Sequence, residues 1–184
     1  MKRPSTDPAT RNKSVTRRSR LDECFPPITG KNPRTLILGS LPGQKSLQMQ
    51  QYYAHPQNAF WKLMEELLGA TSPLPYNSRV KILTDHGIAL WDVLATAERP
   101  GSLDSSIVPA SVRVNDFATF FRAHPQIRRV FFNGRKAEDL YRRLVLPELE
   151  TVAEVSYECL PSTSPAHAGM SFARKLEFWA RIRS

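Results

Sequence analysis

RTLILGSLPG, residues 34–43, decides how this chain folds. Thr35 to Leu38 form a short run with no polar alternation, and Gly39 ends it. So short a run reads as a strand, and consecutive apolar side chains at Leu36, Ile37 and Leu38 mean that both faces are buried. IALWDVL at 88–94 reads as another buried strand, RRVFFNG at 128–134 as a third and AEVSYECL at 153–160 as a fourth. Segments of helical spacing lie between them. NAFWKLMEELLG (58–69) carries apolar residues at 60, 61, 63, 64, 67 and 68, with Asn58 as candidate N-cap and Gly69 as the stop. NSRVKILTDHG (77–87), NDFATFFRAHP (from Asn115), RKAEDLYRRLV (135–145) and SFARKLEFWARI (171–182) read as further helices. Strands alternating with helices predict an α/β three-layer sandwich, a four-stranded parallel sheet with helices on both faces. In such sheets the ligand site lies beyond the carboxyl ends of the strands. The loops after Leu38, Leu94, Phe132 and Leu160 are therefore the places to look.

The totals agree with one domain over residues 21–184. A chain of 184 residues with 41% apolar content is long enough to bury a core. No run approaches a membrane span of about 20 apolar residues, and no apolar segment follows the N-terminus, so a cytoplasmic location is expected. Cys24 and Cys159 form neither a CxxC nor a metal-ligand pattern, so free thiols and no metal are expected. The net charge of +9 is uneven: residues 1–20 hold seven cations against Asp7 alone, six of the nine net charges. With almost no large apolar residues, that segment is expected to be a disordered basic tail. It is suited either to solubility or to finding polyanions by counterion release.

The first strand opens into GSLPGQKSLQMQQYYAHPQ, whose Gly39 and Gly43 let backbone N–H groups approach a ligand closely. The spacing is neither a phosphate-binding P-loop nor a dinucleotide fingerprint. The fourth strand opens into LPSTSPAHAGM, where small hydroxyls and stiff prolines suit a loop that grips phosphates. QYYAHPQNAFW (51–61) sets four aromatics around Pro56, in a chain that is only 9% aromatic. The apolar stripe places Phe60 and Trp61 in the helix core. Tyr52 and Tyr53 lie before the proline, outside it.

Together GSLPGQKS, YYAHPQNAFW, ALWDVLATAERPGSLDSSI, VFFNGRKA and LPSTSPAHA resemble the uracil-DNA glycosylase superfamily, and within it the hypoxanthine-DNA (deoxyinosine) glycosylase branch. The resemblance covers residues 34–183. It implies a monofunctional DNA glycosylase that flips a deaminated base out of DNA and hydrolyses its N-glycosidic bond, without cofactor, as a monomer. Two positions depart from the uracil- and mismatch-cleaving branches. Leu41 stands where those commonly carry Asp or Asn, and Leu160 where they often carry His or Asn. Hypoxanthine rather than uracil is therefore the expected substrate. The alternatives are a uracil or mismatch enzyme, and a module that binds damaged DNA without cutting it.

The resemblance also implies roles. Tyr53 would be the stacking platform for the flipped base, since stacking returns roughly 1–3 kcal/mol against a flipping cost of a few. Asn58 would orient water or the base. Gly39, Ser40, Leu41, Pro42 and Gly43 would line the pocket, with their N–H groups receiving developing charge. Asp92, and less so Asp104, are the carboxylates that would offset positive charge on the sugar, and Asn133 would read a base edge. Ser46, Ser162, Thr163, Ser164, Pro165 and His167 would meet the DNA, while His55 would be structural.

Overall fold

The computed structural model describes residues 21–70, 74–101, 103–149 and 155–183. The expected basic tail lies outside the described residues, as do the first two positions of the expected fourth strand. The expected sheet is present. Strands β2 (Thr35–Gly39), β3 (Ile88–Asp92), β6 (Arg129–Asn133) and β7 (Ser156–Leu160) are all parallel, in the order β3-β2-β6-β7. Their alternation builds two cores. Leu36, Leu38, Trp91 and Phe132 face one side, where helices α4 (Phe117–Ala123) and α5 (Arg135–Leu144) supply Phe117, Phe120, Leu140 and Tyr141. Ile37, Leu90 and Phe131 face the other, against helices α2 (Phe60–Leu68), α3 (Tyr76–Asp85) and α6 (Phe172–Trp179), through Phe60, Leu63, Met64, Leu83 and Trp179. Among the described residues no helix is long and apolar enough to cross a membrane.

Three features differ from the sequence reading. The apolar run 88–94 is not one strand. It leaves the parallel sheet at Asp92 and enters β4 (Leu94–Glu98), the centre of a second, antiparallel sheet with β1 (Leu21–Glu23) and β5 (Arg113–Val114). The run resumes because Val93 and Leu94 are fully buried, and Asp92 is its one polar residue at the change of sheet. A short helix α1 (Gln44–Met49) occupies part of the first loop. Helix α4 begins at Phe117 rather than Asn115: Asp116 caps it, accepting from Thr119 N at 2.9 Å, and Asn115 Nδ2 donates to the carbonyl of Asp92 at 2.8 Å.

The second sheet buries a charge. Arg99, just past β4, is 4% exposed, and its Nη2 lies 3.0 Å from a carboxylate oxygen of Asp22 on β1, itself 2% exposed. Gln44 Nε2 donates to the same carboxylate at 3.0 and 2.9 Å. The guanidinium also donates to the carbonyls of Leu41 and Pro42. Removing one member of a buried pair strands the other charge, at a cost of about 3–5 kcal/mol. An exposed pair contributes less than about 1 kcal/mol. Urea denaturation should therefore show Asp22→Ala losing about 3–5 kcal/mol. Asp85→Ala, which breaks the exposed Lys81–Asp85 pair on α3, should lose under about 1 kcal/mol.

Candidate active site

The four strand ends open into one cavity of about 310 Å³, at the small end of ligand pockets and sized for a single base. Every residue expected at the site, from Gly39 to His167, lines it. The positions are shared; the parts that the side chains play differ.

The first loop is held from beneath. Arg99 takes the carbonyls of Leu41 and Pro42. A planar trans peptide carries its N–H opposite its C=O, so the Gly43 N–H points away from Arg99. Ser40 Oγ donates to Asp104 Oδ2 at 2.7 Å, and Asp104 Oδ1 lies 3.5 Å from Arg99 Nη1. A carboxylate, not an imidazole, is thus the partner of the Ser40 hydroxyl. Leu41 is 6% exposed and fills the core beneath the loop.

Tyr53 is strained into place. Its φ of +55° lies in the left-handed region that bulky residues rarely enter. The neighbouring backbone is fixed on three sides. Tyr52 N donates to the Tyr76 hydroxyl at 2.9 Å, Trp61 Nε1 donates to the Tyr52 carbonyl at 2.9 Å, and Ala54 N donates to Ser46 Oγ at 3.2 Å. Phe60 backs the Tyr53 ring, with centroids 4.1 Å apart and planes at 23°. One ring face is thereby taken by the core and Tyr53 still lines the cavity, the arrangement that a stacking platform needs. Asn58 accepts from Phe60 N through Oδ1 at 3.0 Å, which fixes the amide orientation and leaves Nδ2 for a ligand.

Three residues expected to touch base or DNA have partners within the protein. Asn133 Nδ2 donates to Thr163 Oγ1 and Oδ1 accepts from Thr163 N, both at 2.8 Å. Thr163 is 1% exposed, and its carbonyl accepts from Ala59 N at 2.9 Å. Ser46 is buried and anchors Ala54. These groups join the fourth loop to the third strand end and to the start of α2. Ser164, Pro165 and His167 stay nearer the surface, shaped by bonds from Ser164 N to Ser162 Oγ and from Ala166 N to Ser164 Oγ. Gly134, at φ +96°, lets this loop close in, since a Cβ there would meet Ser162 Cβ at 2.8 Å. His55 is exposed, and its Nδ1 accepts from Gln57 N at 3.2 Å.

Asp92, at the end of β3, is 2% exposed, and its Oδ2 has no hydrogen-bond partner among the described residues. Burial is the main cause that pushes its carboxyl up to about 8, Asp104 adds to the shift and Arg99 opposes it. The acid is therefore mostly neutral at pH 7. The buried Tyr53 hydroxyl has its pKa raised by burial and by Asp92, with the Asn133 side chain opposing the shift. Both groups crowd Gly39, the register partner of Asp92: a Cβ there would lie 2.3 Å from Asp92 Oδ1 and 3.0 Å from the Tyr53 hydroxyl. Among the described residues no cluster of His, Cys, Asp and Glu is arranged to hold a metal ion.

Fold and cavity suit a base-handling enzyme: one base-sized slot at the carboxyl end of a parallel sheet, with an aromatic ring and polar groups in its lining. The family model described as the Uracil DNA glycosylase superfamily matches residues 26–183, and the chain belongs to that superfamily. A relative named hypoxanthine DNA glycosylase, from Methanosarcina acetivorans, is 37% identical over 160 residues, covering 86% of this chain and 96% of the relative. Another of that name, from Methanosarcina barkeri, is 38% identical over 114 residues, covering 61% and 71%. The solution structure of a candidate uracil DNA glycosylase from M. acetivorans has a TM-score of 0.71 at 35% identity, covering 89% of this chain and 98% of that one.

Of the groups that build the site, the sequence reading missed Arg99, Asp22 and Gln44. The only local hint is a cation directly after a buried strand, and its partner stands 77 positions away.

The raised Asp92 pKa has a stability consequence. Between about pH 4, where an unfolded Asp ionises, and about 8, the folded protein holds a proton that the unfolded chain has released. Stability contributed by Asp92 thus falls as pH rises through that window, by up to about 1.4 kcal/mol per unit. Asn at this position has no proton to lose. Thermal melts should show the Tm of Asp92→Asn gaining on the wild type as pH rises across the window. Gly39→Ala should displace Asp92 and Tyr53, lowering base-excision turnover without unfolding the protein, as assayed on damaged duplexes beside a melt.

Proposed function

We propose that this DNA glycosylase excises hypoxanthine from deoxyinosine in DNA. The observation that supports this best is a buried carboxylic acid whose Oδ2 has no partner among the described residues, Asp92, lining the cavity beside residues Gly39 to Gly43, which carry no ionisable side chain. Hypoxanthine presents O6 and N7 as acceptors, as guanine does, and a neutral O–H donor matches one of them. The names of both Methanosarcina relatives point the same way. Tyr53, backed by Phe60, stacks the flipped base, and Asn58 Nδ2 orients the base or the attacking water. The exposed turn at Pro165 to His167 meets the strand from which the base is drawn. The acting form proposed is a monomer on double-stranded or single-stranded DNA that contains the deaminated base. Release of the free base by water needs no covalent enzyme intermediate.

The assay is direct. Duplexes with one deoxyinosine or one deoxyuridine are incubated with the protein and then treated with hot alkali, which cuts only at abasic sites. Scission at deoxyinosine should be the faster; faster scission at deoxyuridine overturns the assignment. Asn58→Ala should lose about 100-fold or more in single-turnover rate while keeping most of its DNA affinity, because the assigned contact strengthens in the transition state.

A further inference from the structure

Asp92 is a buried acid with no cation of its own. Charged and titratable groups approach it from every side, and none neutralises it. Arg99, past β4, is committed to Asp22 and to the carbonyls of Leu41 and Pro42. Asp104, from the turn after Arg99, is a like charge, itself held by Ser40. Tyr52, Tyr53 and Cys24 contribute neutral hydroxyls and a thiol, each raised above its usual range by burial, with the Asp92 charge adding to it. Asn115 donates to the Asp92 main-chain carbonyl rather than to its carboxyl. Oδ2 is therefore left facing no protein partner in a residue that lines the base cavity. A group so placed keeps a proton and has one to give.

We propose that Asp92 is the general acid of the reaction, protonating the purine ring nitrogen N7 of the flipped base as it leaves. This rests on the hypoxanthine reading above. The C1′–N9 bond breaks and its electron pair passes to the base, while the Asp92 proton moves to N7. Water adds its oxygen to C1′, and the proton that it loses restores the Asp92 carboxyl. One water is consumed, and no redox partner is needed. Gly39 to Gly43 offer no carboxylate or imidazole side chain, and departure of the base is the step that an acid at Asp92 assists. Uracil has no ring nitrogen corresponding to N7. An acid placed for N7 therefore selects purines by chemistry as well as by shape. A general acid contributes about 100-fold to 10,000-fold in rate.

The test crosses two enzymes with two substrates in single-turnover assays. Wild type and Asp92→Asn each meet duplexes containing deoxyinosine or 7-deaza-deoxyinosine, which has carbon in place of N7. Asparagine keeps the shape and a hydrogen-bond donor but has no proton to transfer. The variant should lose about 100-fold or more on deoxyinosine, and the wild type should lose a similar factor on the 7-deaza base. Their combination should lose little more, because each change removes the same interaction. The wild-type rate should be flat at low pH and fall above about 8, a limb absent from the variant. A limb that persists in the variant belongs to the substrate. Undiminished variant activity, or losses that multiply, overturns the general acid while leaving the hypoxanthine assignment intact. Failure of the wild type to release hypoxanthine at any pH overturns that assignment, and the general acid with it. Should the variant not fold, the wild-type comparison of the two bases decides alone: equal rates reject the proposal.

Discussion

The buried guanidinium of Arg99 is the constraint on which the site depends. A cation taken out of water is tolerated only where carboxylate and carbonyl groups replace its hydration. Here Asp22 supplies the first, and Leu41 and Pro42 the second. Meeting that requirement draws together β1, the end of β4 and the first loop. The same commitment has a consequence across the cavity. Its Nη groups are turned to the loop and to Asp22, so Arg99 opposes but does not overcome the burial that keeps Asp92 protonated.

The aromatics of residues 52–61 form a foundation on which a single ring is mounted. Phe60 meets Trp61 edge-on and Trp179 edge-on, Trp61 meets Tyr76, and Tyr52 meets Phe25. Such contacts fix ring planes as well as burying area. Tyr53 rests on Phe60 and is kept in a left-handed backbone conformation by the hydrogen bonds of its neighbours. Strain of this kind persists only where the surroundings over-determine it, and it gathers where binding needs a fixed shape.

Much of this was legible in the sequence, and what was not has a physical cause. Buried parallel strands print as apolar runs, so β2 and β6 could be read directly, while the edge strand β7 alternates, with Ser156 and Glu158 between apolar residues. Val93 joins two strands of different sheets and is as apolar as either, so Asp92 alone marked the change of sheet. The cavity residues were legible because the carboxyl ends of parallel strands must converge. Roles were harder. Whether an amide such as Asn133 reads a ligand or staples Thr163 depends on what stands opposite it, and Thr163 is 30 positions away. Arg99 and Asp22 form a pair only once two strands have met, and no local pattern announces that.

The protonation state of Asp92 also determines what the cavity favours. A carboxylate beside O6 and N7 of a purine would set negative charge against two acceptors and repel the base. A neutral acid gives one of them a hydrogen bond. That bond is modest while the base is neutral and strengthens as electrons from the breaking glycosidic bond collect on the ring. An interaction that grows toward the transition state is the kind that raises the rate rather than only the affinity. Burial, ordinarily a liability for a carboxyl group, supplies the effect here, because it holds the proton on Asp92 until the base draws it away.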